Sequence, residues 1–121
     1  IGSEDYIPIK ESLDLCFTSP PYFNTEKYSD DKEQSYIKFN TKNKWINGFY
    51  KKTIQNCFIG LKKNGYMIIN IANTSKLRWI ENETLVLAKE IGFELIDILK
   101  LELSSISGKG AKHEPIFIFR K

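Results

Sequence analysis

Apolar positions recur along the chain with two different periods. Residues 13–18, LDLCFT, form a short apolar run of the kind found in a buried parallel strand. Residues 23–40 are polar, rich in Asn, Ser, Asp and Lys, and read as a long loop. A loop of that length in a small domain either serves a site or is disordered. From Lys42 to Leu61 the set Ile46, Phe49, Tyr50, Ile54, Cys57, Phe58 and Leu61 has helical spacing on one face. Thr41 is placed as the N-cap of that helix, and Asn64-Gly65 as its end. YMIINIA, 66–72, predicts a second buried strand, and a second helix over about 80–91 is stopped by Gly92. FELIDILKLEL, 93–103, alternates as a strand with one wetter face. SSISGKGAKHE, 104–114, reads as a loop, and PIFIFRK, 115–121, as the last strand. The order is β-loop-α-β-α-β-loop-β, which predicts an α/β sheet, mostly parallel, with an antiparallel C-terminal strand.

Length and composition narrow this picture. The chain has 121 residues, enough for one domain but small for a complete α/β enzyme. It is 41% hydrophobic and 13% aromatic, so a packed core is expected and wholesale disorder is not. No apolar run has the length of a membrane span and no signal-peptide pattern opens the chain, which points to a cytoplasmic protein without a membrane partner. The first residue is Ile1, so the chain is expected to be processed or part of something longer. Cys16 and Cys57 lie inside apolar patterns without paired spacing. They read as buried free thiols, not as a disulfide or metal framework.

The net charge is +3, and its distribution matters more than its size. Lys42, Lys44, Lys51, Lys52, Lys62 and Lys63 occur in a stretch without one acidic residue. With Trp45, Phe49 and Tyr50 they form either a helix that lies along a phosphate backbone or a solvated helix face.

The most informative stretch is Ser19-Pro20-Pro21-Tyr22, directly after the first apolar run. In open α/β sheets ligands sit outside the carboxyl ends of the strands, where this stretch lies. Each proline fixes its own φ and pushes the preceding residue toward an extended conformation, so the turn is rigid before a ligand arrives. Two successive backbone donors are also missing. What remains is a run of acceptors: the Ser19 hydroxyl and the carbonyls of Ser19, Pro20 and Pro21. Acceptors followed by an aromatic ring suit a planar ligand carrying an NH2 group. The lone pair of such an amine is delocalised into its ring. Two fixed acceptors that hold its N–H groups out of the ring plane turn that lone pair toward an electrophile. In a duplex the amine is paired, so the base must first be flipped out.

SPPY after a hydrophobic strand resembles the [Asp/Asn/Ser]-Pro-Pro-[Tyr/Phe/Trp] motif of the S-adenosylmethionine-dependent amino-methyltransferases. These act on N4 of cytosine or N6 of adenine in DNA, and some relatives act on RNA guanine or a protein glutamine. LDLCFTSPPYFNTEKYSDDKEQS, the later Trp45 and Phe49, LKKNGYMIINIAN and HEPIFIFRK are similar to one bacterial and phage-associated DNA-methyltransferase family over nearly the whole chain. A Pro-Pro pair alone arises by chance about once in 400 positions at ordinary proline content. The resemblance implies a Rossmann-like methyltransferase fold, S-adenosylmethionine as cofactor, double-stranded DNA as partner and a place in restriction-modification. It gives Ser19 and the Pro20 carbonyl as acceptors for the target amine, within the catalytic set Ser19, Pro20, Pro21 and Tyr22. Tyr22 stacks on the flipped base, and Phe23 widens that platform. Glu4 or Asp5 is the acidic residue near the cofactor adenine.

One departure limits the resemblance. The family's Phe-x-Gly-x-Gly cofactor turn, and the acidic ribose ligand after the next strand, have no counterpart here. Gly108-Lys109-Gly110 is followed by a strand, not a helix, and reads as a hairpin loop before it reads as a phosphate turn. The expectation is that residues 1–121 form the C-terminal, catalytic-loop half of a class I methyltransferase domain, with the cofactor half preceding Ile1. A nucleic-acid-binding module that keeps only the base platform is the alternative. His113-Glu114 is either an acid–base or metal pair or simply part of the loop entering the last strand. A single histidine with no second ligand at metal spacing argues for no metal. Lys109, Lys112 and Arg120 are candidates for phosphate contacts or for solubilising charge. Asn70 and Asn73 either face the site or, for Asn73, cap a helix.

Overall fold

The computed structural model describes residues 4–6, 8–20, 42–74, 78–103 and 112–121. The first strand, β1, is Leu13–Thr18. One continuous helix, α1, follows in three stretches: Lys42–Lys44 is α-helical, Trp45–Tyr50 has π geometry and Lys51–Gly60 is α-helical again. Then come β2, Leu61–Asn70, the helix α2, Ile80–Ile91, and the strands β3, Glu94–Leu103, and β4, Lys112–Arg120.

In the π stretch Trp45, Ile46, Phe49 and Tyr50 are all buried. The i→i+5 bond from the Lys51 N–H to the Ile46 carbonyl widens the turn so that Trp45 meets both Phe49 and Tyr50. The ring centroids lie 5.5 and 5.3 Å apart.

The sheet order is β1-β2-β4-β3. β1 and β2 are parallel, and β4 is antiparallel to both β2 and β3. Three strands therefore run one way, and β4 alone is reversed between them. This is the mostly parallel α/β sheet with an antiparallel C-terminal strand that the pattern predicts. Met67, Ile69, Phe117 and Phe119 face both helices and form the core with Trp45, Tyr50, Ile54, Ile80 and Leu87. The opposite face carries Leu15, Phe17, Tyr66 and Leu99, which are 54%, 64%, 40% and 46% exposed. No helix among the described residues covers that face.

The end of α1 is closely capped. The Leu61 N–H donates to the Cys57 carbonyl. Lys121 Nζ donates to the carbonyls of Phe58 and Leu61 at 2.6 and 2.9 Å. The Glu11 and Ser12 N–H groups donate to the Ile59 and Gly60 carbonyls at 3.0 and 2.9 Å. The carbonyls a helix leaves orphaned are thus all taken up here, by an ammonium and by the chain entering β1.

Several expected boundaries shift. Asn64-Gly65 does not end α1. The helix stops at Gly60, and Asn64, with φ of 68°, lies in a bulge of β2, where the register slips between Leu13↔Leu61 and Leu15↔Tyr66. β2 thus begins five residues early, because pairing with β1 and β4 outweighs the turn chemistry of Asn-Gly. α2 occupies 80–91 as expected, and Gly92 ends it with φ of 127°. His113-Glu114 is not loop. Both residues lie in β4, where His113 pairs with Glu102 and Glu114 with Leu101. β3 has no dry face, since Leu95, Ile96, Ile98 and Leu99 are all more than 40% exposed. The Thr41 cap and the greater part of both loops lie outside the described residues. No helix is long and apolar enough to cross a membrane.

Gly60 sits where α1 meets the approach to β1, and a Cβ there would lie 2.6 Å from Pro8 Cγ. Gly60→Ala should destabilise the chain by about 1–3 kcal/mol, the cost of overpacking. Urea unfolding midpoints measure it, and an unchanged midpoint would show that the Pro8 contact is dispensable.

Candidate active site at the carboxyl end of the sheet

β1 delivers Ser19-Pro20 to the edge of the sheet. The register pairs Thr18 with Ile69, which sets Ser19 and Pro20 beside Asn70 and Ile71. Pro20 is buried, while Ser19 is exposed. A buried proline anchors the turn by packing, and the neighbouring serine keeps its hydroxyl available. Because β1, β2 and β3 run the same way, the carboxyl ends of all three lie at this end of the sheet. α1 runs back from this end, so its first turns, with the buried Trp45, are here too. Trp45 Nε1 has no hydrogen-bond partner among the described residues. It is one buried donor at an end otherwise rich in acceptors. Pro21, Tyr22, Phe23 and Gly108-Lys109-Gly110 lie outside the described residues.

The two asparagines after β2 divide their roles. Asn70 is buried beside Ser19-Pro20. Asn73 is a cap: its Oδ1 accepts from the Glu81 N–H at 3.0 Å, and its own N–H donates to Glu81 Oε2 at 2.8 Å. The pair works as a capping box that closes a long gap in sequence, with Glu81 in the first turn of α2 where a carboxylate is favoured.

Glu4 is buried, and its carbonyl accepts from Asn56 Nδ2 at 3.1 Å. Asn56 lines a recess shared with Leu13 and Cys16, so the Glu4 main chain lies beside the body of β1. Asp5 is exposed.

The basic run does not act as one face. Trp45, Phe49 and Tyr50 are core residues, so the aromatic groups expected to accompany the lysines are turned away from solvent. The Tyr50 hydroxyl is hydrogen bonded to Thr84 Oγ1, tying α1 to α2. Lys62 and Lys63 belong to β2, and Lys62 pairs with Asp14 at 3.3 Å. Arg120 lies at the opposite end of the sheet from Ser19, bonded to Glu94 at 3.0 Å. That bond and the Glu94 charge hold the guanidinium above its ordinary range. His113 faces Glu102 across the β3–β4 ladder. Among the described residues no three His, Cys, Asp or Glu side chains gather at a metal-binding distance.

A strand-turn delivering Ser-Pro to the carboxyl end of a one-sided sheet, with a reversed strand between β2 and β3, defines an open α/β architecture with its candidate site at the strand ends. The comparisons agree. Residues 13–121 match the N6/N4 DNA methylase family, and the chain belongs to that family. The fold is similar to a Thermus thermophilus protein assigned as a DNA modification methylase. The TM-score is 0.70 at 16% identity, covering 99% of this chain and 50% of that one. A structure of the same protein complexed with S-adenosyl-L-methionine gives a TM-score of 0.63 at 17% identity, covering 100% and 54%. A SAM-dependent methyltransferase of Methanosarcina mazei gives 0.61 at 12% identity, covering 100% and 65%. The chain thus spans about half the length of the Thermus thermophilus chains. No curated protein matches it in sequence.

Asn73→Ala removes the Oδ1 that accepts from the Glu81 N–H and leaves that N–H without its cap, while the bond from the Asn73 N–H to the Glu81 carboxylate stays. It should cost about 1 kcal/mol of stability, the usual worth of a capping side chain. Thermal unfolding measures this, and equal stability of the two proteins would mean that water replaces the cap.

Proposed function

We propose that the chain is the catalytic-loop half of an S-adenosylmethionine-dependent DNA amino-methyltransferase. The reaction transfers a methyl group to N4 of cytosine or N6 of adenine in double-stranded DNA, on a base flipped out of the stack. The observation that carries this reading is the exposed Ser19 beside the buried Pro20 at the carboxyl end of β1, in a chain of the N6/N4 DNA methylase family. Ser19 and the Pro20 carbonyl accept the two N–H groups of the target amine. Their hold pyramidalises the nitrogen and directs its lone pair at the methyl group. With the cofactor bound, the amine so held would be placed to take up the methyl group and would then give up one proton. Tyr22 is the stacking face for the flipped base and Phe23 extends it. When bound, S-adenosylmethionine supplies an electrophilic methyl group on a sulfonium. Glu4 or Asp5 would hold its adenine.

The cofactor-binding half is proposed to come from a segment preceding Ile1. Two observations support this. The chain spans about half of the structures it resembles. One face of its sheet is apolar and open, although sheets of this class are covered on both sides. Leu15 and Phe17 on the outer strand are then the surface on which the other half packs.

The isolated chain should bind S-adenosylmethionine weakly or not at all, since the glycine turn that approaches the cofactor is missing. Calorimetric titration tests this, and micromolar affinity for these 121 residues would defeat the division into halves.

In the complete enzyme Ser19→Ala and Tyr22→Ala should fail differently. Loss of Tyr22 removes stacking worth about 1–3 kcal/mol per base. It should weaken DNA binding and slow methylation, with Tyr22→Phe and Tyr22→Trp close to normal. Loss of Ser19 removes an acceptor used mainly in the transition state, so turnover should fall with little change in DNA affinity. Single-turnover methylation and DNA-binding titrations separate the two effects. If both alanine variants methylate at the parental rate, Ser19-Pro20-Pro21-Tyr22 is only a turn. DNA binding without methylation in the complete protein would instead favour a binding module.

A further inference from the structure

Cys16 on β1 and Cys57 on α1 are far apart in sequence, but the fold brings them together. Their side chains meet at one cavity, and neither is in a disulfide. Both line one cavity of about 110 Å³ with Tyr6, Pro8, Leu13 and Thr53. That cavity has room for a molecule of a few heavy atoms. The two sulfurs are not equivalent. The Cys57 hydrogen bond holds the Cys16 thiol below the ordinary thiol range, partly opposed by burial. Cys57 is pushed up by the same bond, by burial and by the Cys16 charge. One sulfur is thus suited to attack as thiolate, and the other keeps its proton until a bond to it forms.

We propose that Cys16 and Cys57 form a peroxide-responsive dithiol, which closes into a disulfide tying β1 to α1. The Cys16 thiolate attacks one oxygen of a hydroperoxide. The O–O bond breaks, leaving a sulfenic acid on Cys16 and releasing an alcohol, or water when the oxidant is hydrogen peroxide. The Cys57 sulfur then attacks the Cys16 sulfur. The S–O bond breaks, and hydroxide leaves with the Cys57 proton as water. Two thiols are oxidised by two electrons, and the peroxide takes them up. A small dithiol reverses the step by exchange. Cys16 lies three residues before Ser19, so the bridge fixes the strand that carries the Ser19-Pro20 turn to the helix behind it.

The test exposes the reduced chain to hydrogen peroxide and reads intact mass and non-reduced peptide maps. The expected product is a monomer lighter by two hydrogens, with the Cys16 and Cys57 peptides linked and dithiothreitol restoring the starting mass. Cys57→Ser should leave a sulfenic acid on Cys16 that dimedone traps, whereas Cys16→Ser should give no adduct on Cys57. In Cys57→Ala the pH midpoint for alkylation of Cys16 by iodoacetamide should move up, a shift that a purely structural thiol would not show. Disulfide-linked dimers in place of the internal bridge, two thiols that stay titratable after peroxide, or equal trapping on either sulfur would overturn the proposal. If a variant does not fold, the wild-type mass and peptide map decide alone.

Discussion

The sheet depends on β4 being wedged between β2 and β3. Residues 116–120 pair with β2 on one side and with β3 on the other, so every strand position there is held by two ladders. Phe117 and Phe119 put their rings into the core from this strand. The next residue, Lys121, reaches back to the carbonyls at the end of α1 and lies 4.5 Å over the Phe58 ring. Strand pairing, core packing and helix capping therefore converge on one short segment. Remove it and β3 has no neighbour, and the Phe58 and Leu61 carbonyls lose their ammonium.

This arrangement places the site as well as the fold. With β4 reversed, the other three strands direct their carboxyl ends to one side, and β1 lies at the sheet edge with Ser19-Pro20 at its tip. The tip is rigid for two reasons. Proline restricts the backbone, and the burial of Pro20 fixes the turn to the body. The face of β1 toward α1 is packed, and it holds Cys16 against Cys57. The other face is apolar and exposed at Leu15 and Phe17. An edge strand with one packed and one open apolar face is suited to the middle of a larger sheet more than to its border.

Much of this was legible in the chain. Residues 13–18 form the parallel strand that their apolar run predicts, though at the sheet edge with Leu13, Leu15 and Phe17 exposed and not buried as expected, and 80–91 form the second helix, with Gly92 at its end in a backbone conformation that favours glycine. The reason is physical: short-range periodicity and a left-handed stop are local properties. The Ser19-Pro20 turn at a strand end was legible for the same reason, since proline acts on its immediate neighbours. Where the reading missed, long-range pairing had overruled local preference. Asn64-Gly65 looks like a helix end yet lies in β2, because Lys121, just past β4, bonds to both residues and β1 pairs with β2 on either side of them. His113-Glu114 looks like loop yet lies in β4, because β3 extends far enough to pair with it.

The sequence by itself determined the α/β order, the core-forming stripe of α1, the position of the Ser19-Pro20 turn and the resemblance to DNA amino-methyltransferases. These rest on periodicity, on proline stereochemistry and on a short contiguous motif. Only the tertiary structure decided which residues from distant segments meet. It set Cys16 against Cys57, Asn73 against Glu81, Tyr50 against Thr84 and Lys121 against the end of α1. It also turned Trp45, Phe49 and Tyr50 inward and paired Arg120 with Glu94. Apart from the Asn73 cap, none of these contacts has a signature in spacing, because each is set by strand register and by how the helices lie on the sheet. Those are fixed only when the whole sheet closes around β4.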